Sequence, residues 1–357
     1  MELPKLKIGN LTSKFPIIQG GMGVGISLSN LAGNVALNGG IGILSGVEIG
    51  FAEPDFYRNK KEANTRALKR HVERAREIAK GGIIGINIMA VLTDFEEIVK
   101  DAVREKIDII FSGAGLPLSL PEFTKGTDTK VVPIVSSDRA AKIICKTWDR
   151  RYDTIPDAIV VEGPEAAGHL GFSREELEDP KVSLESIIGK VLDAVKPFEE
   201  KYRKKIPIIA AGGIMNGKDI AKFLKLGASG VQMGSRFAAT EECDAADEFK
   251  ESYIKAREED IVLINSPVGL IGRAINNKFI EDTKMGLKKP IKCLVNCLKP
   301  CEPTEVPYCI ANALINAQKG NLNSGFVFAG SNSYKIDGLM KVKDLIEQLV
   351  REAESAL

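Results

Sequence analysis

His169 is one of only two histidines in the 357-residue chain, and it closes the stretch Glu162-Gly163-Pro164-Glu165-Ala166-Ala167-Gly168-His169. An imidazole titrates near neutrality, so it can be unprotonated at working pH and still accept a proton. The small residues before it let a flat ligand come close to the backbone. The plain alternative is a histidine that merely caps a loop. A second concentration of chemistry lies near the end, where Cys293, Cys297, Cys301 and Cys309 place four of the six cysteines within residues 293–309, interleaved with Pro300, Pro303 and Pro307. Proline stops such a segment from running as an unbroken helix, and a looped chain can turn four sulfurs towards one centre. All-thiolate ligation without a neighbouring histidine suits a [4Fe-4S] cluster or a structural zinc ion. The spacing matches neither a common ferredoxin pattern nor a zinc-finger pattern, so it does not choose the metal, and four unligated thiols remain the alternative.

Two other cysteines need separate readings. Cys243 follows the Gly234-Ser235 turn by eight residues, within reach of a site built there, and is a candidate redox thiol, although a free cysteine is more often half-buried packing. Cys145 sits beside Ile143 and Ile144 and reads as core. His71, on a densely charged helix, reads as a surface residue.

The elements that must position these groups alternate strand and helix. Apolar runs at 16–19, 41–44, 83–89, 107–111, 131–135, 157–161, 206–210 and 230–235 read as eight buried parallel strands, and most end in glycine, serine or asparagine. Helical patterns run from Leu28 to Leu37, Glu62 to Lys80, Asp94 to Glu105, around Cys145 and Trp148, Ser183 to Tyr202 and Gly217 to Leu226. Eight such units over roughly 250 residues fit a (β/α)8 TIM barrel better than a doubly wound sheet. Gly20-Gly21-Met22-Gly23-Val24-Gly25 is glycine-rich but lacks a ribose-binding acid at dinucleotide-fold spacing. The turns Ala211-Gly212-Gly213-Ile214 and Met233-Gly234-Ser235-Arg236 offer backbone N–H groups after strands seven and eight, where barrels often hold a phosphate. The expected organisation is a barrel over 1–260 and a C-terminal lid over 261–357. In that lid, 267–279 would be a loop over the barrel mouth, 326–333 would close a substrate pocket, and 341–351 would be a docked helix.

With 49 basic and 48 acidic side chains, the formal charge is +1, which gives no electrostatic ground for a nucleic acid or an anionic membrane as partner. No apolar run approaches the roughly 20 residues needed to span a bilayer, and the N-terminus lacks the apolar core of a signal peptide. A cytoplasmic location follows as the expectation, and cysteines in a reducing compartment serve as thiols or metal ligands more often than as structural disulfides.

Pro16 to Met22, Asn87 within Gly85-Ile86-Asn87-Ile88-Met89, Glu162 to His169, Ala210 to Ile214 and Gly230 to Ser235, in this order and spacing, resemble the nitronate monooxygenase (2-nitropropane dioxygenase) family, which includes FMN-dependent enoyl-acyl-carrier-protein reductases. The resemblance covers roughly residues 4 to 280 and leaves the C-terminal part outside. It implies an FMN-dependent oxidoreductase acting on a small molecule. The FMN phosphate would lie on Gly212, Gly213, Gly234 and Ser235, with Ala211, Gln232 and Met233 beside it. The isoalloxazine would lie near Gly20, Gly21, Met22, Asn87, Glu162, Ala167 and Gly168. His169 matches the family histidine, taken in the monooxygenases to remove the proton alpha to the nitro group. Two positions depart from the common pattern: Glu162 stands where glutamine is frequent, and Ala167 where a glycine is frequent.

A flavin barrel gives a redox cluster a use, so iron–sulfur is the preferred reading of Cys293, Cys297, Cys301 and Cys309. The candidate reactions are nitronate oxidation, NAD(P)H-dependent enoyl-thioester reduction and cluster-assisted reduction of a disulfide or similar electrophile, with NAD(P)H or a ferredoxin as electron donor. A non-catalytic flavin- or metal-binding regulator is the alternative class, and a homo-oligomer is compatible with all of them.

Overall fold

The computed structural model describes residues 1–287, 291, 293 and 295–357. Eight strands form the barrel: β1 (Ile17–Gln19), β2 (Gly42–Ser45), β3 (Ile84–Asn87), β4 (Ile109–Ser112), β5 (Lys130–Val135), β6 (Ile159–Glu162), β7 (Ile208–Ala211) and β8 (Gly230–Met233). They pair in parallel in the order β1-β8-β7-β6-β5-β4-β3-β2. The two end strands close on each other through a parallel bridge between Ile18 and Ile41, where the Ile41 N–H donates to Ile17 O and the Gln19 N–H to Ile41 O, each at 3.0 Å. The expected TIM barrel is therefore present, with all eight expected strands in it.

The strand sequences explain the closure. Parallel barrel strands bury both faces, so alternate residues point to two different apolar environments. Ile18, Ile43, Ile109, Phe111, Val132, Val160 and Ile209 fill the interior. Ile17, Leu44, Ile84, Ile110, Ile159, Ile208 and Val231 pack outward in the cluster that also holds the helix faces. An antiparallel hairpin, Leu6–Ile8 with Leu11–Ser13, precedes the barrel and adds Leu6 and Ile8 to the interior cluster. It lies ahead of the first strand expected from sequence.

Helices Ser29–Leu37, Lys60–Ala79, Phe95–Arg104, Asp138–Tyr152, Leu184–Tyr202 and Gly217–Lys225 wrap the outside, with Ser137, Ser183 and Asn216 accepting from N–H groups of the first turns of the last three. The first is capped from a distance. The Asp244 carboxylate accepts from the N–H groups of Leu28, Asn30 and Leu31 at 2.8, 3.2 and 3.1 Å. His71 is not a surface residue. Its ring lies between the first two helices with Nδ1 3.1 Å from Ser29 Oγ, and burial pushes its pKa down to about 4.

Over the mouth lies a three-stranded antiparallel sheet made of Gly168–Leu170, Ile271–Ile275 and Ile261–Asn265. Part of the expected loop 267–279 is thus a strand, paired with the segment that carries His169, and Gly272 stands opposite His169 in register. A side chain at Gly272 would meet the Phe328 ring at 3.0 Å, so this position keeps the sheet flush with the aromatic beneath it. The final helix, Val342–Ala356, buries Val342, Leu345, Ile346, Leu349 and Ala353, as the spacing predicts. It docks on helix Gly217–Lys225 so closely that a Cβ at Gly217 would lie 2.4 Å from Leu349 O. Among the described residues no helix is long and apolar enough to cross a membrane.

Candidate active site

The carboxyl ends of the barrel strands surround two joined cavities, one of about 240 Å³ and one of about 130 Å³, which share Gly21, Met22, Glu162, Ala167, Gly234 and Ser235 as walls. The smaller is built from turn backbone: Gly20, Ala211, Gly212, Gly213, Gln232 and Met233 complete it on the barrel side, with Gly330 and Asn332 closing it from the C-terminal part. The larger adds Asn87, Gly168 and His169 to an apolar lining that includes Val47, Met89, Ile134, Phe326 and Phe328. Every residue expected at the cofactor therefore borders this one space, although the residues come from strands β1, β3, β6, β7 and β8.

Glycine is required where the walls approach. A Cβ at Gly21 would sit 2.3 Å from Asn87 Cβ, and one at Gly213, whose φ is 77°, would sit 1.9 Å from Glu165 Oε2. The buried Gln19 amide ties the first two loops together, donating to Gly20 O and accepting from the Ile43 N–H at 2.9 Å. On the other side Arg273 Nη1 donates to Pro164 O and Ala166 O, both at 2.7 Å, and pins the loop that leads to His169. Asn332 Nδ2 donates to Gly213 O at 3.0 Å and Glu165 Oε2 at 3.2 Å, and the Gly330 N–H donates to Ser235 Oγ at 3.1 Å. The segment 326–333 thus does close the cavity, with its polar turn over the glycines and its phenylalanines over the larger chamber.

His169 faces that chamber from the cap sheet. Its Nε2 lies 2.6 Å from Ser266 Oγ, and its ring meets Phe328 edge-on with centroids 5.1 Å apart. Burial pushes the imidazole pKa down to about 4, so it is neutral at pH 7. Glu162, at the end of β6, has its carboxyl pushed up to about 7 by burial. Glu48 was not singled out in the sequence, because an acid in a loop ordinarily reads as solvated. It lines the larger cavity, and burial lifts it to about 7 against the pull of Lys60, which lies 3.3 Å from it and 3.2 Å from Asp94. Ser266 and Tyr253 were missed for a related reason. Both come from beyond the last barrel strand, and the Tyr253 hydroxyl donates to Phe328 O at 2.6 Å while Tyr253 also lines the chamber.

Cys243 does not reach the cavity. Its thiol is buried, donates to Ile26 O at 3.5 Å, and is pushed up to about 12 by burial, so it is no thiolate at neutral pH. Its neighbour Asp244 anchors the segment beneath the first helix, which turns Cys243 inward. Cys145 is fully buried, as expected. Cys293, Cys297, Cys301 and Cys309 line one small cavity of about 10 Å³, and Cys297 and Ile310 also line the larger chamber. They are not gathered on a point: among the described residues no group of three or more His, Cys, Asp or Glu is placed to hold a metal ion. The expected metal ligation is therefore not formed in this structure.

Comparison with known proteins shows the family. The nitronate monooxygenase family model matches residues 5–352, so the match also takes in the C-terminal part that the sequence resemblance left outside. A probable nitronate monooxygenase of Staphylococcus aureus (strain JH9) is 27% identical over 305 residues, covering 76% of this chain and 78% of the relative. FabK from Thermotoga maritima superposes with a TM-score of 0.74 at 27% identity, over 96% of this chain and 94% of that one. A nitroalkane oxidase from Streptomyces ansochromogenes shares the fold, with a TM-score of 0.73 at 20% identity over 96% and 97% of the two chains. By its near full-length match and by the barrel-mouth cavity, this chain belongs to the nitronate monooxygenase family of FMN-dependent oxidoreductases.

Proposed function

We propose that the joined cavities take FMN, and that the enzyme oxidises nitronates, or neutral nitroalkanes from which His169 first accepts the alpha proton. The fit to the cofactor is supported by the division of the space: an apolar chamber for a flat ring, continuous with glycine turns whose backbone can approach a phosphate. Gly212, Gly213, Gly234 and Ser235 would hold the phosphate, with Ala211, Gln232 and Met233 beside it. Gly20, Gly21, Met22, Asn87, Glu162, Ala167 and Gly168 would border the ring. When bound, the flavin supplies the redox chemistry, and the protein's part is orientation, proton transfer and exclusion of water.

The observation that carries this reading is the imidazole of His169, hydrogen-bonded to Ser266 on the wall of the same chamber, where burial pushes its pKa down. In the tautomer whose Nε2–H donates to Ser266 Oγ, Nδ1 keeps its lone pair for the proton alpha to a nitro group. Phe326 and Phe328 line the same chamber as the imidazole. Oxygen uptake by the FMN-loaded enzyme with neutral 2-nitropropane is the test, because propyl-2-nitronate has already lost the alpha proton that His169 would accept. Turnover that vanishes in His169→Ala while FMN stays bound supports the reading, and undiminished turnover in that variant removes His169 from the mechanism.

A second reading, enoyl-thioester reduction with NAD(P)H, is favoured by the full-length similarity to Thermotoga maritima FabK. Consumption of NAD(P)H that depends on crotonyl-thioester and not on a nitronate would select it. A [4Fe-4S] centre on Cys293, Cys297, Cys301 and Cys309 would add a one-electron carrier fed by NAD(P)H or a ferredoxin. Its support is that these thiols line one cavity with a wall in common with the flavin chamber.

A further inference from the structure

Arg273 joins three separate parts of the barrel mouth. In the cap sheet its backbone stands opposite Gly168, next to His169. Its carbonyl accepts from the Ala329 N–H at 3.1 Å, which ties in the segment 326–333. Its Nη1 donates to Pro164 O and Ala166 O, each at 2.7 Å, so the guanidinium is committed to the backbone of the loop between β6 and His169. An arginine presents its donors in a rigid planar fork, which fixes the direction of the carbonyls it holds as well as their distance.

That direction matters at Ala166. The Ala166–Ala167 peptide is trans and planar, so its C=O and its N–H point opposite ways. Arg273 lines neither cavity, whereas Ala167 lines both. With Ala166 O turned back to Arg273, the Ala167 N–H is turned towards the joined space. The described hydrogen bonds give it no acceptor, although an enclosed backbone donor normally has one. Gly168 then turns the chain at a φ of 77°, which leaves this peptide facing the cavities while His169 enters the cap sheet.

We infer that Arg273 is a positioning residue: by holding Ala166 O it presents the Ala167 N–H to the flavin as a hydrogen-bond donor. This rests on the reading that FMN fills the joined cavities. A donor fixed before the cofactor arrives favours the redox state with the greater negative charge on the ring, which is the reduced one. Arg273 thereby acts on the flavin's potential through the Ala166–Ala167 peptide, without touching the ring.

The test compares Arg273→Leu and Arg273→Lys with wild type by FMN affinity, from flavin fluorescence, and by the midpoint potential of the bound flavin. Arg273→Leu should lower the affinity for reduced FMN relative to oxidised FMN by about tenfold, the size of one hydrogen bond to a charged group, which lowers the potential by about 30 mV. Arg273→Lys, which keeps a cationic donor, should recover part of that shift. A part in folding alone would weaken both redox states alike and leave the potential where it was, and that result in FMN-loaded Arg273→Leu overturns the inference with the flavin site intact. Wild-type protein that takes up no FMN overturns the flavin reading and this inference together. If Arg273→Leu fails to fold, the Ala167 amide proton of isotope-labelled wild type, followed by NMR, decides. It should move downfield on FMN binding and again on reduction, and an amide proton unmoved in both steps overturns the assignment.

Discussion

The acid limb of the pH–rate profile should report His169 directly. An imidazole in water, with a pKa near 6.5, would be only about 9% neutral at pH 5.5. Burial beneath the cap sheet pushes His169 down to about 4, which leaves it about 97% neutral at the same pH. The two cases differ about tenfold in the concentration of competent base, and kcat/KM carries the ionisation of the free enzyme. With a neutral nitroalkane as substrate and FMN bound, kcat/KM should therefore stay nearly level from pH 7 to pH 5 and fall only as pH approaches 4. His169→Ala should lower the plateau by about 10²–10⁴-fold, the range expected for a lost general base, and erase the limb. A limb near 6.5 would mean that the ring is solvated and the burial argument is wrong. A limb that persists in His169→Ala would assign the base to another group, with Glu48 and Glu162 the buried carboxyls to examine next.

Three further outcomes follow from single contacts. Gly213→Ala puts a side chain at a φ of 77° and against Glu165 Oε2, costing about 1–2 kcal/mol. FMN affinity measured by flavin fluorescence should drop while riboflavin, which lacks the phosphate, is affected less. Ser266→Ala removes the partner 2.6 Å from His169 Nε2, so kcat should fall with FMN affinity intact; an unchanged kcat would show that the ring is held by Phe328 and the sheet alone. Asp244→Ala removes the acceptor of three N–H groups at the start of helix Ser29–Leu37 and should lower stability by about 1–2 kcal/mol in denaturant melts.

The barrel was legible because its information is local. Each strand is a short apolar run buried on both faces and stopped by small residues, so Ile84–Asn87 or Ile208–Ala211 can be recognised without knowing its neighbours. The glycine turns after β7 and β8 were legible for the same reason. What escaped were pairings across long separations. Gly168–Leu170 becomes a strand only because Ile271–Ile275 lies beside it, and Ser266 meets His169 across 97 residues. The hairpin Leu6–Ile8 with Leu11–Ser13 did leave a local trace, the alternation of Leu6 and Ile8 before Gly9-Asn10. Cys243 was misjudged because closeness in sequence to Ser235 was taken as closeness in space, whereas Asp244 ties that segment to the N-terminus of the first helix and the Cys243 thiol turns to Ile26 O. The cysteines of 293–309 border one cavity, but spacing alone does not say whether their sulfurs converge, and among the described residues no three of them are placed to hold a metal ion.

The most direct test is a crystal structure of the protein grown with FMN. The phosphate should accept from the backbone N–H groups of Gly212, Gly213, Gly234 and Ser235, and the ring should lie between Gly21, Asn87 and Ala167 with His169 facing it. A flavin bound elsewhere, or bound here with its phosphate turned away from those four residues, would contradict the account.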